Sequence, residues 1–188
     1  MAQKIYFLAF LFALSVPAIC AAQTVAPKPS SPVIIVVDMQ RILDESMAAK
    51  NVQKQIETQS AKFQKEIEGE ENELRTAEQD LGKSRDQIAA DAYADREQNL
   101  RQRFLTVERH VQARHKALDQ AFTDSMNAVR GVLMDIVAAV AQEHGANIAL
   151  AKQQTVWLDK SLDVTDEILN RLNKQLPQIT VKMPDEKP

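Results

Sequence analysis

Histidine, cysteine and clustered carboxylates are the side chains of this sequence that bear chemistry, and their spacing decides what they can do. His110 and His115 stand five residues apart, which on a helix turns them to different faces, and His144 is alone near a helix end. The single cysteine, Cys20, can form no internal disulfide. Glu66, Glu68, Glu70, Glu71 and Glu73 lie close together, but carboxylates on a solvated helix are not a positioned acid and base. The chain has no phosphate loop, dinucleotide fingerprint or nucleophile elbow. No catalytic residue, cofactor or metal site is therefore expected, and neither is an enzyme.

The elements that carry these residues are long. The chain has 188 residues, enough for one ordinary domain, and only 5% are aromatic. Between Pro32 and Pro177 there is no proline, and only Gly69, Gly82, Gly131 and Gly145 interrupt the span, as in extended helix. With 23 Lys+Arg against 26 Asp+Glu, the net charge of −3 leaves no basic excess for gripping nucleic acid.

The first residues read as an address. Lys4 precedes an apolar run from Ile5 to Val16, then Pro17 and the small residues Ala18, Cys20, Ala21 and Ala22. This is the grammar of a secretory signal peptide of residues 1–22, cleaved after Ala22, and it implies export. The run is shorter than the roughly 18–20 residues that span a bilayer. Ile19 before Cys20 argues against lipidation, and cleavage after Ala22 leaves no cysteine in the mature chain. Removing Lys4 from the 23 basic residues leaves 22 against 26 acidic ones, a mature charge of −4. Residues 23–32, rich in Pro and Ser, read as a disordered leader.

Val33, Ile34, Ile35, Val36 and Val37 are all β-branched and predict a strand buried on both faces. Asp38 is placed to cap a helix with Met39, Ile42 and Leu43 inward, and Ser46 to cap its restart. A heptad rhythm follows. Ile56, Phe63, Ile67, Leu74, Ala77, Leu81 and Ile88 form one apolar seam, and Leu100, Phe104, Val107, Val111 and Leu118 a second. Phe122 and Met126 make a stutter, after which Val129, Leu133, Ile136 and Val140 resume the spacing.

The two seams share one antiparallel register. Leu81 with Leu100, Leu74 with Val107, Phe63 with Leu118 and Val52 with Val129 all have position numbers that total 181. A hairpin reversing near Ala89–Asp91, with Asp91 as cap of the second helix, satisfies this over the whole length. The register also sets Arg109, His110 and Arg114 opposite the acidic cluster, with Glu70 directed at Arg109 or Arg114. Gly145 ends the second arm. Ala146–Ala151 and Thr155–Leu158 then predict a hairpin of short strands about Lys152–Gln154. Asp163 caps a last helix that turns Val164, Ile168, Leu169 and Leu172 to one face, and Pro177 closes it before a loose tail.

The expected fold is thus mostly α with a small β body: a long antiparallel coiled-coil helical hairpin projecting from a short-stranded β oligomerisation body. One domain spans 33–176, with the body at 33–45 and 138–176, arms at about 46–137, a tip near 85–95 and a flexible tail at 177–188. A body this small buries little and leaves strand edges open, so identical chains would associate through it. Val33, Ile34, Ile35, Val36, Val37, Ile148, Leu150, Val156 and Trp157 are the candidate oligomerisation residues.

The sequences VVDMQRIL at 36–43, VAAVA at 137–141 and LDVTDEILNRLN at 162–173 resemble the OmpH/Skp family of periplasmic chaperones. The resemblance covers Val33 to Asn173, and its two ends are its specific part. It implies a homotrimer with a β-barrel-like body and three helical tentacles, an ATP-independent holdase that shelters unfolded outer-membrane proteins before membrane insertion. Family members are strongly basic at their arm tips, whereas residues 75–103 of this chain carry equal positive and negative charge. No site for lipopolysaccharide or a membrane surface is carried over. The alternative is a structural periplasmic coiled-coil adaptor linking envelope proteins, which would have no need of the end motifs.

Overall fold

The computed structural model describes residues 31–184. The chain divides into a unit of Met1–Ser31 and a unit of Pro32–Pro188, and the second is the subject here. The expected signal peptide and nearly all of the leader lie outside the described residues.

Strand β1 (Ile34–Val37) leads into helix α1 (Met39–Glu45), helix α2 (Met47–Ser84) and helix α3 (Ala90–Glu143). Strand β2 (Ile148–Ala151), two single 3₁₀ turns and helix α4 (Thr165–Gln175) complete the order. The unit is mostly helical with one small sheet. At a rise of about 1.5 Å per residue, α2 extends for roughly 57 Å and α3 for roughly 81 Å.

Local chemistry sets the boundaries. Asp38 caps α1, its carboxylate accepting from the Arg41 N–H at 3.0 Å. Ser46 acts twice: its N–H donates to the Ile42 carbonyl at 2.9 Å, and its hydroxyl accepts from the Ala49 N–H at 3.3 Å. One fully buried serine therefore ends α1 and starts α2. Gly145 ends α3 with φ at +64°. The Ala146 N–H then reaches the Ala141 carbonyl at 2.8 Å and the Gly145 N–H the Gln142 carbonyl at 3.0 Å, the double bond of a Schellman cap.

The sheet differs from the expected one. β1 pairs with β2 in parallel, Ile34 opposite Ile148 and Val37 opposite Ala151. Thr155–Leu158 forms no strand, and Lys152–Gln154 is a 3₁₀ turn, not a hairpin turn. The apolar β-branched run had suggested pairing with its neighbour in sequence. The long helical excursion instead returns Ile148–Ala151 beside β1, as parallel pairing requires. Val33 lies outside the strand and is 43% exposed, whereas Ile35, Val36 and Val37 are buried.

The core sits where β1, α1, the last four turns of α3 and α4 meet. Ile35, Val37 and Ile42 pack there with Val129, Leu133, Val140, Ile168 and Leu172. On the side of β1 away from β2, the Val164 N–H donates to the Val36 carbonyl at 3.1 Å, and the Asp38 N–H to the Thr165 hydroxyl at 2.9 Å. Asp163 accepts from the Thr165 N–H at 3.0 Å, although the residue that flanks α4 is Val164. Asp91 likewise lies within the first turn of α3, and Ala89 flanks it without a side-chain cap.

The chain after α4 is not loose. Ile179 packs against the core, and Ile179 and Val181 lie with Ala49, Val52 and Met126 at the base of the arms. The expected flexible tail of 177–188 therefore holds a docked segment, and residues 185–188 lie outside the described ones. Three hydrogen bonds tie the segment to α2. Backbone groups near an apolar face are held because leaving them unpaired is costly.

Two outcomes test this root. Leu133 is fully buried, so Leu133→Ala should destabilise the protein by about 2–5 kcal/mol in chemical denaturation; a loss under about 1 kcal/mol would contradict its place at the core. Burial pushes the Asp163 carboxyl up, but hydrogen bonds from Thr165 and the Lys152 ammonium outweigh this and hold it below its ordinary value. A depressed carboxyl stabilises the fold above its unfolded pKa and loses that contribution as pH falls through the folded one. Asp163→Asn should therefore lower the Tm at pH 7, the gap to the parent closing below about pH 4. A gap that stays constant down to pH 3 would remove the charge from the explanation.

Candidate functional site

The arms and the open side of the body are the surfaces with something to offer a partner. Near the root the hairpin is dry: Val52 and Val129, which the register sets opposite one another, are both fully buried. Farther out the seam thins. Phe63 and Leu74 are buried, while Ile56, Ile67, Leu81, Leu100, Val107, Val111 and Leu118 are half-buried. Phe104 is 44% exposed, contrary to its expected place in the seam. Two helices bury one narrow stripe; Leu100 and Val107, seven residues apart, lie along it, and Phe104 overhangs its edge.

Three cross-arm pairs, two of them ion pairs and one a histidine–carboxylate contact, fix the register on one face. Glu66 meets Arg114 at 3.2 Å, Glu70 meets His110 at 3.4 Å and Glu73 meets Arg103 at 3.4 Å. The acidic partners at 66, 70 and 73 follow the helical repeat. Glu70 thus reaches His110, not Arg109 or Arg114. Arg109 turns to its own helix, donating to the Leu105 carbonyl at 3.1 Å and to the Thr106 hydroxyl at 3.1 Å. Arg114 also stacks over Phe63, its guanidinium carbon 4.4 Å from the ring centre, and so screens the seam from water. All three pairs are exposed, so they specify register more than they stabilise it.

Leu74 and Val107 are flanked on both sides by a shallow cleft of about 550 Å³. One cleft has Glu70, Glu73, Arg103 and His110 at its border. The other is bounded by Phe104, Val111, Glu71 and Glu78. Leu105, Phe122, Met134 and Met47 are further exposed apolar side chains spaced along the helices.

The body presents a second apolar set. Ile148 and Leu150 on β2 are 39% and 36% exposed, and Leu162 lies open beyond them. Val156 is wholly exposed, and Trp157 is 81% exposed. The loop that carries them is pinned at its ends. The Lys152 ammonium donates to Asp163 at 2.9 Å, and the Gln153 amide to Asp38 at 3.0 Å. The hydrogen bond from Lys152, together with the attraction of the two charges, holds the Lys152 ammonium above its usual value. A tryptophan on an anchored loop costs little entropy to present and offers a large contact area. Of the candidate oligomerisation residues, Ile35, Val36 and Val37 are interior and Ile34 half-buried, while Val33, Ile148, Leu150, Val156 and Trp157 face outward.

Elsewhere in the body, Arg171 grips both oxygens of Glu143, at 2.7 and 2.6 Å, and also bonds Glu167. This holds the Glu143 carboxyl below its ordinary range and Arg171 above its own. It offsets a negative side chain at the negative end of α3. His144 meets Glu167 at 3.1 Å. Among the described residues, no cluster of three His, Cys, Asp or Glu side chains suits a metal ion, and no helix is long and apolar enough to cross a membrane.

Asn51 and Gln55, the residues that hold Ile179 and Val181, were not singled out from sequence. Two signals were available: amides four residues apart beside Val52, and the alternation Ile179-Thr180-Val181-Lys182-Met183.

Two long helices rooted in a small αβ body, with apolar side chains open at root and arm, define a helical-hairpin protein built around surfaces, not a pocket. The family model for outer membrane protein (OmpH-like) matches residues 33–172, and the chain belongs to this family. The chain is 22% identical over 139 residues to the chaperone protein Skp of Yersinia enterocolitica, covering 74% of this chain and 85% of that one. Its fold is that of an OmpH-like outer membrane chaperone of Caulobacter crescentus, whose crystal structure superposes with a TM-score of 0.77 at 19% identity, over 85% of this chain and 94% of that one.

The thin distal seam generates a clear expectation. Leu74→Asp with Leu81→Asp should loosen the distal arms, seen as new protease cleavage between residues 60 and 120, while the body keeps its fold. Global unfolding in this double variant would contradict the division into root and arms.

Proposed function

We propose that this protein is an ATP-independent holdase chaperone of the periplasm. It assembles through its body as a homotrimer and holds unfolded outer-membrane proteins between its arms until they are inserted. The observation that carries the reading is the family match over residues 33–172, which takes in the body and both arms together. The chaperone relative, aligned over 85% of its own length, supports it.

The physics of the surface agrees. β2 has β1 on one side, and a strand with an open edge beside exposed Ile148, Leu150, Val156 and Trp157 favours association with further copies. Three copies joined at the root would set their arms around a shared space. Exposed apolar side chains spread along those arms suit transient contact with a chain that has no fixed shape. Release then follows mass action when a better partner appears, with no nucleotide needed.

Native mass spectrometry of the mature protein tests both parts. The expected result is a trimer that takes up one client when an unfolded outer-membrane β-barrel protein is diluted into it. Trp157→Ala should shift the trimer toward monomer while circular dichroism stays unchanged. A monomer or dimer that leaves the client to aggregate would reject the holdase and favour the adaptor.

A further inference from the structure

The cradle at the base of α2 recognises an extended chain by its backbone. Asn51 and Gln55 are four residues apart and so share one helix face. The Gln55 amide donates to Asn51 Oδ1 at 2.7 Å, which orients both side chains. It also donates to the Ile179 carbonyl at 2.7 Å, Gln55 Oε1 accepts from the Val181 N–H at 3.1 Å, and Asn51 Oδ1 from the Ile179 N–H at 3.3 Å. Two side-chain amides thus do for this segment what a neighbouring strand does in a sheet.

The contacts to side chains follow the same logic. Ile179 and Val181 pack against the cluster of Ala49, Val52 and Met126, while Thr180 and Lys182 are exposed. Every second residue is held by an apolar surface, and the main chain is held by hydrogen bonds. In strand-addition binding, backbone bonds give affinity and the spaced pockets ask only for alternation. Alternating apolar and polar residues are also the sequence signature of transmembrane β-barrel strands.

We infer that this cradle is a binding site for an extended, alternating strand of an unfolded outer-membrane protein, and that the segment Gln178–Met183 is a built-in competitor that such a strand displaces. The inference rests on the proposed holdase function and specifies how that function is regulated. An intramolecular occupant is present at high effective concentration, so it excludes stray peptides yet yields to a client held at several points. When it leaves, the buried side chains Ala49 and Val52 become available to the incoming strand.

The decisive measurement uses the unaltered mature protein. Hydrogen exchange at the Ile179 and Val181 amides is followed with and without a saturating unfolded outer-membrane β-barrel protein. Displacement should speed exchange at both by about tenfold or more, because a released segment has no protection. A released variant, Ile179→Asp with Val181→Asp, should bind a labelled peptide of residues 177–184 in trans and hold the client several-fold tighter. Adding Asn51→Ala and Gln55→Ala should abolish both gains. Unchanged protection while the client is bound would overturn the inference and make the segment a fixed brace, whether or not the released variant folds. Suppression of client aggregation by the unaltered protein, read in the same samples, separates the two claims. If aggregation is suppressed and the amides stay protected, only this inference fails; if aggregation proceeds, the holdase reading fails and takes the inference with it.

Discussion

Everything in this unit depends on β1 having hydrogen-bonding partners on both sides. Five residues after Pro32, the chain has already committed a strand whose one edge pairs with β2 and whose other edge receives the Val164 N–H. Those partners lie more than a hundred residues downstream. Satisfying the backbone of a buried four-residue strand therefore forces the whole helical excursion between them to return to its origin. Ile35 and Val37 then hold α3 and α4 against that strand. The hairpin exists as a hairpin because its two ends are tied here, and not because its distal seam is strong.

Packing falls off with distance from this tie. Val52, Val129 and Leu133 have no exposure, Phe63 and Leu74 little, and the residues beyond Leu74 are half open. Two helices side by side lack a third layer, so each apolar side chain on the seam is sheltered on one side only. Charge compensates in specificity, not in energy. The three cross-arm pairs lie about the buried side chains of Phe63 and Leu74, and a slip of one helical turn would break them as a set.

Helix and register were legible in the sequence because both follow from periodicity. The 3.5-residue spacing of Phe63, Leu74, Val107 and Leu118 and the common total of their positions describe the antiparallel contact without any tertiary information. The caps at Asp38, Ser46 and Gly145 were equally plain, since each is a local bond between a residue and its near neighbours. What could not be read was the pairing of short segments. Ile148–Ala151 and Thr155–Leu158 are similar apolar tetrapeptides, and choosing which one meets β1 requires knowing where a helix of fifty-four residues ends in space. The docking of Ile179 and Val181 was hidden for a related reason. Its hydrogen bonds come from side-chain amides on a helix that, by periodicity alone, belong to the solvated face.

The holdase proposed for this chain uses no nucleotide and so must keep every contact weak, because nothing but a better partner removes the client. A single deep pocket would work against this, since buried aromatic anchors concentrate affinity and slow release. The exposed apolar side chains of α3 are instead spread along it, Phe104 and Leu105 side by side and Phe122 and Met134 apart from them. Dispersed weak contacts add through avidity on a long client and vanish one at a time as it leaves. Strength at the root and looseness along the arms are then complementary requirements: a fixed frame is needed so that many weak contacts act together, and a yielding arm so that no single contact becomes permanent.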